Sequence, residues 1–455
     1  MYDPPIFDLC RPDRGLIFWD LTMKQPRLVA LQHRDFRLLW FGRLLSTMGS
    51  QMQQIAISWH VFELLRGQTY ELEFFGRTLE LNASAIGLGS LGLARVIPII
   101  IFALLGGLLA DSRNRRTLLI WVQTAAALFS ATLAILTFTD HITIPVIYLL
   151  SGALAAASAF DEPARQSIVP NLVPREHLAN AITLNTVLWQ IATIVGPGLA
   201  GLLVGQFDVG LVYAIDAISF GAVIISLLLM EYRGQSAAPV GQGLGWNALV
   251  EGVRFTLQNR IIRSTMLLDF FATFFASART MLPIVATDVL KLGVEGYGFL
   301  ATAQPVGALI AGGIVALRRD IRRQGVVLLV SVGVYGLATA LFGLSTSFAL
   351  SYLLFGLTGA GDTVSTVIRG TLRQLLTPDH LRGRMTSVNM VFFMGGPQLG
   401  ELEAGLVASL FGAPVAIFTG GVATVLLTAL IAWRYPRLRR YTSDMSDDLI
   451  KQAAA

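Results

Sequence analysis

Twelve stretches of this chain stay apolar for about twenty residues or longer, and short polar connections separate them. They lie near 38–64, 85–109, 117–139, 143–165, 178–206 and 209–231, then 262–287, 295–317, 325–345, 348–369, 384–411 and 413–434. A helix needs about 20 residues to cross the hydrocarbon layer of a bilayer. In that solvent a spanning segment must satisfy its own backbone polar groups, which a helix does within one segment. The expected fold class is therefore an all-α polytopic membrane protein. With 54% hydrophobic and 14% charged residues, the chain carries too little charge for a soluble protein.

Charge sets the expected orientation. Of the 34 Lys and Arg, 28 fall on one side of a twelve-span chain, in the two tails, alternate loops and the span ends that adjoin them. Arg66, Arg77 and Lys291 fall on the other side, and Arg43, Arg95 and Arg279 lie inside spans. The positive-inside rule then places both termini in the cytoplasm. The net charge of +5 serves orientation and gives no reason to expect nucleic acid. The division reads as a tail over 1–37, a six-helix bundle over 38–231, a linker over 232–261, a second bundle over 262–434 and a tail over 435–455. Within the linker, Trp246 to Gln258 has the spacing of a surface-lying helix. No signal peptide is visible ahead of the first span, and the outer loop 66–84 is long without an evident role.

The halves repeat each other. Gly106-Gly107, Ala110 and Arg113 return as Gly312-Gly313, Ala316 and Arg319. Arg165 stands nine residues before Pro174, as Arg369 does before Pro378, and Gly196-Pro197 is echoed by Gly396-Pro397. An even-numbered unit duplicated in this way gives parallel six-helix repeats, whose substrate site is expected between them near the midplane.

One loop breaks the repeat. Gly106 to Arg116 joins two spans through Asp111, Arg113, Arg115 and Arg116, whereas Leu317 stands where the second half would carry the aspartate. Charge bias explains the arginines but not Asp111. A carboxylate at the start of a helix can meet the helix dipole and an arginine together. Gly107, Leu109, Ala110, Asp111, Arg115 and Arg116 resemble the loop signature of the major facilitator superfamily. Asn114 replaces the usual glycine, as a residue that tolerates the left-handed conformation. The resemblance implies a cytoplasmic gate of Asp111, Arg113, Arg115, Arg116 and, at the end of helix four, Arg165.

Polar residues at helical spacing mark four spans. The first has Arg43, Thr47, Gln51, Gln54 and Ser58; the fourth has Ser151, Ser158, Glu162 and Arg165. The seventh has Thr265, Asp269, Thr273, Ser277 and Thr280; the tenth has Ser351, Thr358, Asp362, Ser365 and Arg369. Such stripes must face protein or water, so each alone fits helix–helix hydrogen bonding equally well. Helices one, four, seven and ten are the cavity-lining set in the superfamily that the chain resembles. Gln51, Gln54, Ser58, Arg95, Asp269, Thr273 and Asp362 are the expected cavity residues. Asp269 and Glu401 are the candidates for ion coupling, since ionisable groups inside a membrane are functional by default. Arg95, in the middle of the second span, is read as a contact for an anionic substrate, with a buried ion pair that only fixes packing as the equal rival. Arg43 is near enough to the surface to snorkel, and Asp216 is read as structural.

Gly196, Pro197 and Gly201 look like the glycine-proline motif of proton-coupled antiporters, with Ala200 in place of one glycine. Over 33–435 the chain is similar to the superfamily branch that contains the enterobactin exporter, through Asp35 to Ser46, Gly252 to Leu257 and Gly383-Arg384-Met385. These resemblances imply a secondary transporter of the bacterial inner membrane. It would export a small molecule by alternating access, driven by a proton gradient and needing no cofactor or metal. A flippase-like or importing member of the superfamily is the alternative, and a non-transporting scaffold is a more distant one. The chain has no phosphate-binding loop and no His-Glu-x-x-His, which disfavours a pump or an embedded metalloenzyme. Cys10 is the only cysteine, which excludes an internal disulfide.

Overall fold

The computed structural model describes residues 28–74, 77–112, 114–234, 254–318, 321–377 and 381–442, with backbone alone at 72, 74, 77, 103–112, 382–384, 386–388 and 390–394. The first half contains α1 (Arg34–Leu65), α2 (Ala83–Ser112), α3 (Arg115–Phe138), α4 (Ile144–Ile168), α5 (Leu178–Gln206) and α6 (Val209–Leu229). The second contains α7 (Arg260–Phe275), α8 (Gly293–Leu317), α9 (Gln324–Leu344), α10 (Phe348–Leu376), α11 (Arg382–Phe411) and α12 (Ala413–Arg434). Nine helical segments among the described residues are long and apolar enough to cross a membrane. The long helices outside that set, α1, α10 and α11, carry charged or amide side chains along their length.

Local chemistry starts and stops these helices. Asn114, Asp208 and Asn259 cap α3, α6 and α7 by accepting from backbone N–H groups of the first turn. The expected left-handed Asn114 is not found: its φ is −61°, because its side chain caps α3 and donates to the carbonyls of Arg233 and Gly234. The seventh span does not run unbroken. Beyond Phe275 the chain passes through a 3-10 turn (Ala278–Met281), a short α turn and a π turn (Val285–Val289), with Pro283 unable to continue the ladder.

The loop 66–84 is a β-hairpin, which the apolar-run reading did not anticipate. β1 (Thr69–Phe74) pairs antiparallel with β2 (Arg77–Asn82), from Thr69 opposite Asn82 to Phe74 opposite Arg77. Its signal is a period of two, with Tyr70, Leu72 and Phe74 alternating with Glu71 and Glu73. The linker helix expected over Trp246 to Gln258 falls mostly outside the described residues, of which 254–258 are helical. The second tail is not free throughout: Leu438 and Tyr441 are buried against the start of α9.

Helix neighbours repeat between the halves. α2 packs on α4 as α8 does on α10, α3 on α6 as α9 on α12, and α1 on α5 as α7 on α11. The halves meet through two seams, α2 against α11 and α5 against α8. A two-fold relation exchanges these seams, as two parallel six-helix repeats require. The apolar cores divide unequally along the helices. At the hairpin end a single core joins both halves, running from Phe62, Leu88 and Tyr213 to Leu282, Tyr297 and Ala404. At the opposite end, where the described residues begin and stop, each half closes on a core of its own, around Phe36, Leu119 and Leu188 or around Leu268, Leu328 and Leu372.

Candidate functional site

The seams are close because their residues are small. A Cβ added at Gly201 would lie 2.8 Å from the Cα of Gly298, and one at Gly89 would lie 2.9 Å from the Cα of Gly405. Backbones therefore touch across the halves, as small residues allow in membrane packing. The glycine-proline motif divides its labour here. Gly201 and Pro197 meet Gly298 of the other half, whereas Gly196 takes the side chain of Gln51 within its own. Above the seams, Trp59 stacks on Tyr297 with ring centroids 6.3 Å apart. Arg66, at the end of α1, lies 3.7 Å from Asp288 beyond α7, and both are about half exposed. That pair bridges the halves at the hairpin end.

Away from the hairpin end, each half carries a charged cluster on equivalent helices. On α4, Arg165 is buried and donates to Asp161 at 2.6 and 2.9 Å; Gln123 of α3 donates to the other oxygen of Asp161 at 2.6 Å. Arg43 of α1 does not snorkel, because Glu162 of α4 lies 3.5 Å from it and its side chain is only 14% exposed. On the other side, Arg369 of α10 meets Asp269 of α7 at 2.5 Å, with both side chains under 10% exposed. Asp362, one helical repeat before Arg369, is 3.6 Å away and 43% exposed. Thr366 accepts a further 2.8 Å bond from Arg369.

The expected cavity residues separate into two groups. Gln54 is exposed, and Ser58 and Arg95 are half-buried, as is the coupling candidate Glu401. Gln51 is buried against α5, and Thr273 bonds the carbonyl of Asp269 beside Gly396 of α11, so these two serve packing contacts. Ser351, Thr358 and Ser365 of the α10 stripe are also buried, which leaves Asp362 as its exposed member. Asp216 is fully buried and accepts from Ser50 at 3.3 Å and Ser130 at 2.7 Å, tying α6 to α1 and α3.

Part of the expected gate lies outside the described residues, namely Arg113 and the side chain of Asp111. Its other members act within the first half. Arg116 donates to the carbonyls of Leu227, Leu228 and Tyr232, capping the end of α6, and Arg115 donates to that of Ser167 at the end of α4. Arg279, Tyr297 and the Arg66–Asp288 pair were not among the expected site residues. An arginine inside a span was the available signal for Arg279; pairs between distant helices left none. No group of three or more His, Cys, Asp or Glu able to hold a metal occurs among the described residues.

A family model described as transmembrane secretion effector matches residues 26–452. The chain belongs to that family. It is thereby a major facilitator superfamily transporter, consistent with twelve long helices in two repeats and with small residues on both seams. The enterobactin exporter EntS of Escherichia coli O81 (strain ED1a) is 23% identical over 411 residues, covering 90% of this chain and 94% of that protein. EntS of Shigella boydii serotype 18 is 22% identical over 409 residues, with the same coverage. Among solved structures, a bacterial homologue of the human lysosomal transporter Spinster superposes with a TM-score of 0.68 at 12% identity, over 90% of this chain and 98% of its own. A bacterial homologue of the iron transporter ferroportin gives 0.65 at 14% identity, over 90% and 99%. These relatives are transporters, which places the chain with them rather than with enzymes.

Proposed function

We propose that this protein exports a small molecule across the bacterial inner membrane by alternating access, with both termini cytoplasmic and proton entry as the driving reaction. The observation that carries the reading is the unequal division of the core. One apolar core spans both halves at the hairpin end, and two separate cores close the halves at the other. A molecule built so is held together at one face and parted at the opposite one. Charged groups on equivalent helices of the two halves, Glu162 at 48% and Asp362 at 43% exposure, stay accessible to solvent. Ionisable groups at such depth require a water-filled path. The relatives named as exporters supply the direction, and the positive-inside charge split supplies the orientation.

Export then requires the seams at the hairpin end to part while the opposite faces close. The test is a clamp. In a Cys10→Ser background, cysteines at 66 and 288 joined through two disulfides by a short bis-methanethiosulfonate should stop efflux, and reduction of those disulfides should restore it. Efflux that continues with the clamp closed would defeat alternating access. Coupling is assigned to Asp269 or Glu401, carboxylates held inside the helical spans.

A further inference from the structure

Arg95 and Arg279 approach the seam from opposite halves. Arg95 is on α2, three residues after Gly92, and residues so spaced share a helix face. That face looks at α11: a Cβ at Gly92 would lie 2.9 Å from the Cβ of Glu401 and 3.0 Å from its Oε2. Arg279 stands in the 3-10 turn after α7 and is exposed, so open volume reaches it within the span. The turn that carries Arg279 packs on both α2 and α11. Arg95 of α2, Arg279 of the α7 turn and Glu401 of α11 thus belong to one seam.

The charges there do not balance. Among the described residues neither arginine has a carboxylate within salt-bridge distance, and Glu401 is in no ion pair. Nη2 of Arg95 is buried with no hydrogen-bond partner. Elsewhere in this protein the span-buried arginines, Arg43, Arg165 and Arg369, each have an acid. Two cations against one carboxylate leave an excess positive charge within the span, on a half-buried Arg95 and an exposed Arg279. An orphaned buried donor carries its own cost.

We infer that Arg95 and Arg279 form the binding site for the anionic group of the exported molecule, which is therefore an organic anion bearing a planar oxyanion such as a carboxylate. The guanidinium fork fits that group in bidentate fashion. Glu401 is the resident carboxylate of that seam, and its charge competes with that of the anion. This rests on the transport reading above, and it names the substrate class for that route.

Two xanthene dyes of similar frame and opposite charge test it, carboxyfluorescein as the anion and rhodamine 123 as the cation. Binding is measured to the full chain in phosphatidylcholine nanodiscs. The wild-type protein should prefer carboxyfluorescein. Arg95→Gln and Arg279→Gln should each weaken that dye by about tenfold to a hundredfold, the worth of one charge-assisted bond, and leave rhodamine 123 unmoved. Arg95→Lys should fall between, and Glu401→Gln should tighten carboxyfluorescein. Preference for rhodamine 123, binding of neither dye, or arginine variants without effect would overturn the assignment. Displacement of the dye by added phosphatidylglycerol would overturn it too, by identifying a lipid headgroup as the anion. The cysteine clamp is read separately: if it still controls efflux while the dye results fail, transport stands and the anion site falls.

Discussion

The charged clusters of the two halves use the same residue types on equivalent helices and wire them differently. In the first half the buried arginine, Arg165, finds its acid four residues back on its own helix, and α1 joins α4 only through the longer, wetter Arg43–Glu162 contact. In the second half Arg369 reaches across to Asp269 of α7 at 2.5 Å in a dry setting. One cluster staples a helix to itself; the other staples two helices together. The first half takes its cohesion near α1 from elsewhere, through Asp216 and the serines of α1 and α3. A duplicated unit has thus kept its arginines while relocating their partners, so the two bundles need not respond alike when the halves move.

The sharpest way to break the contrast is Asp269→Asn. It leaves Arg369 with only the longer 3.6 Å contact to Asp362, and should cost toward the lower end of the ~3–5 kcal/mol that breaking a buried ion pair costs. Thermal unfolding in detergent reads this directly. The double variant Asp269→Asn with Arg369→Gln should recover most of the loss. It is also the protein in which to measure pH-driven flux, since persistence of coupling there would remove Asp269 as the coupling group.

Asp161→Asn should cost less, about 1.5–3 kcal/mol. The new side chain still accepts a bond from Arg165, and Glu162 stands one residue away to offset its charge. A loss equal to that of Asp269→Asn, found in the same unfolding measurement, would mean that the clusters are equivalent after all. The smallest effect belongs to Arg43→Gln, at about 1 kcal/mol or less, because its partner Glu162 is half exposed. A cost of several kcal/mol would show that α1 depends on Glu162 as α7 depends on Asp269.

The fold was legible because its logic is one-dimensional. Span lengths, the charge split and the internal repeat are written along the chain, and α5 begins and ends where its apolar run does. The site was legible only where the partners are local. The Asp161–Arg165 pair sits at i, i+4 and follows from spacing. Asp269 and Arg369 are a hundred residues apart, and no period relates them. Helical periodicity found the α10 stripe but not its direction, because a stripe of hydroxyls satisfies a neighbouring helix as readily as water. Ser365 took the first course and Asp362 the second. The hairpin was missed for a different reason: its period of two is short, and it lies between two runs whose period is 3.6.

The glycine contacts of the seams set the kinetics of parting. Where Gly201 faces Gly298 and Gly89 faces Gly405, no side chain is threaded through the partner helix. Separation there extracts no knob from a hole and forces no rotamer through an eclipsed state. The peptide groups exposed keep their hydrogen bonds, since each belongs to its own helix. What is lost is dispersion and weak Cα–H contact, both short in range. Such a joint resembles two polished plates more than a gear train: it holds while closed, lets go within a small displacement, and reseats without sorting its teeth.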